Sequence, residues 1–85
     1  MEREQALRGL KKLMLKLPAL RGQLQIMGAR NSDLMSLCGA FDEASDMLDR
    51  LRSAGPAANK ALLREYEQVC SDLEADVVRL CLKSD

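Results

Sequence analysis

Three cysteines and thirteen carboxylates are the side chains of this chain best equipped for chemistry, and no histidine accompanies them. Without imidazole, the commonest general base and the commonest metal ligand are both missing, and catalysis is not expected. Cys70 and Cys81 stand eleven positions apart on one expected helix, roughly 16 Å along its axis, too far to form a disulfide or share a metal. Cys38 falls near the level of Cys70, so that pair alone has a chance to approach. The plainer reading makes Cys70 a small core residue with Cys38 and Cys81 beside the seam, because free cysteine buries readily.

Asp42, Glu43, Asp46 and Asp49 lie in one segment, and Glu65, Glu67, Asp72, Glu74 and Asp76 in another. Paired carboxylates can exchange protons or hold a metal, but they need a desolvated pocket to separate their pKa values. On outer helical faces they are solvated charge, and the Glu-x-x-His ligand pair of di-iron bundles cannot be assembled here. No metal and no cofactor is expected.

Positioning these residues falls to helices. Ala, Leu, Glu, Lys and Arg supply 45 of the 85 residues, the composition of long helices and coiled coils. One Ile, three Val, one Phe and one Tyr are too few to furnish the faces of a sheet. An all-α single domain over 1–85 follows. Ala6, Leu10, Leu13, Leu17, Leu20, Leu24 and Met27 recur at spacings of three and four, a continuous apolar stripe that crosses Pro18 in register. The unbroken phase favours one helix over about 2–28, kinked at Pro18, over two helices in line.

Asn31-Ser32-Asp33 opens a second helix over about 32–53, with a capping side chain and an acidic first turn. Leu34, Leu37, Phe41, Ala44, Leu48 and Leu51 form its seam, and Gly55-Pro56 ends it. Leu63, Tyr66, Cys70, Leu73, Val77 and Leu80 mark a third helix over about 57–83. Short connections predict an antiparallel three-helix bundle. A turn centred on Ala54 to Pro56 would set Phe41 opposite Tyr66 and Leu37 opposite Leu73. A turn near Arg30 would bring Leu17 and Leu20 to Phe41.

The net charge is zero, yet residues 1–30 carry +5, residues 31–55 carry −3 and residues 56–85 carry −2. Internal charge pairing accounts for this pattern, and no chain-wide positive field is present for nucleic acid. The basic residues Arg8, Lys11, Lys12, Lys16 and Arg21 leave a membrane surface as a secondary possibility, although no aromatic residue interleaves to anchor it. No stretch approaches the roughly 18 apolar residues of a membrane span. The start Met-Glu-Arg-Glu does not read as a cleavable signal, and an odd cysteine count then suggests reduced thiols in the cytoplasm.

Apolar residues exceed what three seams need. Leu7 and Met14 flank the first seam, Leu15 points away from it, and Ile26, Val78 and Leu82 also lie off their seams. Contiguous apolar surplus marks interfaces, and so small a domain gains from burial by a second chain. These six residues form the candidate interaction surface of a non-enzymatic helical module, with Ile26 expected beside the end of the third helix. Its partner is expected to be a second copy, as a homodimer, or else an amphipathic helix of another protein, as in a small adaptor or secretion-type chaperone.

"DLMSLCGAFDEASDMLDRL", Asp33 to Leu51, and "EYEQVCSDLEADVVRL", Glu65 to Leu80, resemble a set of small proteobacterial helical proteins of unknown function. In these an aromatic-leucine-cysteine helix precedes a helix with a Glu-Tyr and a Leu-Glu pair. Met35 or Leu34 stands here where that set carries an aromatic. The resemblance spans about half the chain and implies a bacterial cytoplasmic protein; it carries no activity and no site.

Overall fold

Among the described residues local sequence dictates four α-helices where three were expected. The structure, a computed structural model, describes residues 2–83. It is all-α, with α1 at Glu2–Lys16, α2 at Arg21–Met27, α3 at Ser32–Ser53 and α4 at Lys60–Lys83. Short 3-10 turns cover Pro18–Leu20, Gly28–Arg30 and Gly55–Ala57.

The expected kink at Pro18 is a full break. A residue before proline is pushed out of the α region by the pyrrolidine ring, and Leu17 sits at φ −121°, ψ 67°. Its own N–H still bonds the Leu13 carbonyl at 2.8 Å, so α1 closes its last turn before the chain swings away. The stripe keeps its phase across the break because both helices face one core: Leu10, Leu13, Leu24 and Met27 are all buried.

The break also corrects the expected up-down-up order. Arg8 and Lys12 reach Asp42, Lys12 also reaches Asp46, and Gly9 lies against Cys38. Partner numbers rise together, so α1 and α3 run parallel. The stretch between them is the return leg. Seven α-helical residues at 1.5 Å and two three-residue 3-10 turns at about 2 Å each cover about 22 Å, the length of the fifteen-residue α1. A single helix over 2–28 could not have turned back.

Asn31 caps α3, its Oδ1 accepting from the Leu34 amide at 3.0 Å. At the far end Gly55 takes φ 60°, the left-handed conformation that a residue with a Cβ avoids. The helix that follows starts later than Pro56. Asn59 is its cap, the Leu62 amide donating to Asn59 Oδ1 at 3.1 Å. The longer turn moves the α3–α4 register by about a turn of helix. The two are antiparallel, with Arg52 3.5 Å from Glu67, while Ala40 with Leu73 and Met47 with Tyr66 share a groove. Phe41 is therefore not opposite Tyr66, and Leu37 is not opposite Leu73. Of these seam residues Phe41 alone is fully buried; Leu17, Leu37 and Tyr66 are half-buried around the core.

Candidate interaction surface

Polar chemistry gathers where α1 crosses α3. Asp42, expected on an outer face, is completely buried. Its Oδ2 accepts from Arg8 Nη2 at 3.3 Å. Its Oδ1 lies 2.9 Å from Lys12 Nζ, a charge contact that falls short of an aligned hydrogen bond. The same ammonium donates to Ser45 Oγ at 2.8 Å and to Asp46 Oδ1 at 2.9 Å. Burial works against the Lys12 charge, but the close carboxylates of Asp42 and Asp46 outweigh it and hold its pKa above the ordinary value. The bond from Lys12 in turn holds Asp46 below the usual carboxylate range. Lys16 Nζ bonds Glu74 of α4 at 2.8 Å. The basic first helix thus spends three of its cations on the acidic helices, as internal charge complementarity requires.

This cluster is a clamp. Every acid in it is matched by a cation, and the Ser45 hydroxyl donates to the Asp42 carbonyl at 3.1 Å. The thiols are equally closed: Cys38, Cys70 and Cys81 are free and buried. Burial pushes Cys38 up to about 11, with the neighbouring Cys81 adding to the effect, and it raises Cys70 and Cys81 as well. Protonated thiols of this kind are poor nucleophiles. The neighbour of Cys38 is Cys81 and not Cys70, because the register has moved. Among the described residues no cluster of three or more Cys, Asp or Glu has the placement of a metal site. No described helix is long and apolar enough to cross a membrane.

The six candidate surface residues divide. Leu7 and Met14 pack half-buried against the core. Leu15 is 76 % exposed, but Arg8, Lys11 and Lys12 border it on α1, so it stands alone. Ile26 and Leu82 are 74 % and 70 % exposed, and Val78 is half-buried. Gln23 donates to the Cys81 carbonyl and ties α2 to the end of α4. Ile26 is one turn beyond Gln23, Leu82 adjoins Cys81, and Val78 is one turn before. The bond therefore brings the helix that carries Ile26 to the end of α4 that carries Val78 and Leu82, here called the α2–α4 edge.

A second apolar surface had no place among the six. On the outer side of α3 and α4, Met47, Tyr66, Val69 and Leu73 line a groove floored by Ala40 and Ala44. Val69 is 42 % exposed there. The available signal was Met47 and Val69 standing one position off their seams, but the two join only in the register set by Asn59.

No protein-family model, no curated protein and no solved structure matches this chain.

Proposed function

We propose that this chain is a non-enzymatic helical interaction module that pairs with a second copy of itself through the α2–α4 edge. The observation that carries the reading is the exposure of Ile26 and Leu82 on two elements joined by the Gln23–Cys81 bond. Large aliphatic side chains exposed on two tied elements, with half-buried Val78 one turn before Leu82, offer apolar surface that a lone leucine such as Leu15 does not. An edge that meets its own copy about a two-fold axis doubles the buried apolar area without a second type of surface. Three buried, protonated thiols suit a reducing compartment such as the cytoplasm. Peripheral membrane binding has less behind it, since Lys12 and Lys16 are engaged in ion pairs and Leu15 has no apolar company.

Sedimentation velocity across a concentration series tests the reading. The parent chain should shift toward a dimer as concentration rises, and Ile26→Asp with Leu82→Asp should hold it as a folded monomer by circular dichroism. A parent that stays monomeric at high micromolar concentration, or a double variant that still dimerises, overturns it.

A further inference from the structure

The α3–α4 groove lies apart from the self-association edge, and its chemistry is different. Ala40 and Ala44 keep the floor low, so a backbone can come close, while Met47, Tyr66, Val69 and Leu73 offer apolar contact along both walls. Methionine adapts to varied partners, and tyrosine is a frequent interface anchor. From Ala40 to Met47 is about 10 Å of α3, two turns of helix, the span covered by anchors at i, i+3, i+4 and i+7 of a docked helix.

Glu43 on α3 and Glu65 on α4 stand at the two rims. Both are exposed, and among the described residues neither is held in an ion pair. Five other acids of these helices are compensated, Asp42 and Asp46 by α1, Glu74 by Lys16, Glu67 by Arg52 and Asp76 by Arg79, while Asp33, Asp49 and Asp72 stand outside the groove. The groove is thus an apolar trough between two uncompensated negative charges.

We infer that this groove docks an amphipathic helix of another protein, one that carries Lys or Arg on both sides of its apolar stripe. A second copy of this chain does not supply that helix. Its one strongly basic helix, α1, buries Ala6, Leu10 and Leu13 in its own core and commits Lys12 and Lys16 to ion pairs. Its other long helices are acidic, and two negative rims repel.

The test uses the full chain and two short fluorescein-labelled helical peptides with one leucine stripe, flanked by Lys in one and by Glu in the other. Anisotropy titration should show the Lys peptide binding at least about tenfold more tightly than the Glu peptide, with a preference that weakens as salt rises. Val69→Asp should abolish binding. Glu43→Lys with Glu65→Lys, both at exposed positions that leave the fold intact, should reverse the preference. Leu82→Asp should leave binding unchanged. Equal binding of the two peptides, an unaltered preference in the Glu43→Lys/Glu65→Lys variant, or loss of binding in Leu82→Asp overturns the inference. So does a concentration-dependent shift of the Tyr66 ring resonances without peptide, which would put a second copy in the groove.

Discussion

Replacing Gly9 with alanine sets local sequence and tertiary structure against each other. Within a helix that exchange favours alanine by about 1 kcal/mol, because glycine loses more backbone freedom on folding. In the folded chain the new Cβ would overlap the Cys38 carbonyl oxygen and lie 2.6 Å from its carbon and 3.2 Å from its Cα. Carbon atoms rest at about 3.5–4.0 Å, so α1 and α3 must part by about 1 Å. The obstacle is backbone, which no rotamer change can clear. That places the cost at the upper end of overpacking, about 3 kcal/mol, and leaves a net loss of about 2 kcal/mol. For a chain of this size the melting temperature should fall by about 10–15 °C. Parting the helices also loosens Arg8 and Lys12 from Asp42, which flank the crossing. Thermal and urea unfolding followed by circular dichroism measure the loss. Gly22→Ala and Gly39→Ala are the controls: an added methyl meets nothing within 4 Å at either position, and each should raise stability by about 0.5–1 kcal/mol. A Gly9→Ala chain that melts at or above the parent refutes the close crossing and, with it, the parallel packing of α1 on α3.

The clamp at Asp42 should respond unequally to loss of its two sides. Lys12→Met strands a buried carboxylate with Arg8 alone and should cost about 3 kcal/mol, whereas Asp42→Asn releases Arg8 to solvent and leaves Lys12 its bonds to Ser45 and Asp46, and should cost about 1 kcal/mol, both read by urea unfolding. Alkaline pH should destabilise the fold. Below the ordinary thiol pKa of 9.0 Cys38 is protonated in both states, and between there and about 11 only the unfolded chain ionises, so stability should fall by about 3 kcal/mol across that window. The raised pKa of Lys12 acts in the same direction, since its clamp is intact below 10.5 and is lost as pH passes the folded value. Cys38→Ala should flatten the slope of stability against pH, and an unchanged slope would remove Cys38 as its source. Phe41→Ala should cost about 3–5 kcal/mol in the same unfolding assay, enough to threaten so small a domain. Leu15→Glu should change stability by no more than about 0.5 kcal/mol and leave the sedimenting mass alone, because the residue lies outside both apolar surfaces.

Sequence by itself determined the features that depend on near neighbours along the chain. Helical periodicity and the scarcity of β-branched residues specify an all-α fold, Asn31 caps α3, and Gly55 ends it in the left-handed conformation. The three-four spacing of Leu10, Leu13, Leu24 and Met27 names most of one buried face, since spacing alone sets which side of a helix a residue occupies. Spacing also kept Leu15, Ile26 and Leu82 out of the core. Tertiary structure decided direction, register and company. The apolar stripe runs through Pro18 in phase whether the chain continues or folds back, so periodicity could not distinguish a kinked helix from a helix with a return leg. Asn59, three residues beyond Pro56, set the α3–α4 register, and that shift placed Cys38 by Cys81 and left Tyr66 on an outer groove. Asp42 reads as one more solvated acid until α1 lies parallel to α3 and covers it. Each depends on which helix packs where, and that is settled by burial and charge pairing across the chain, to which local spacing is blind.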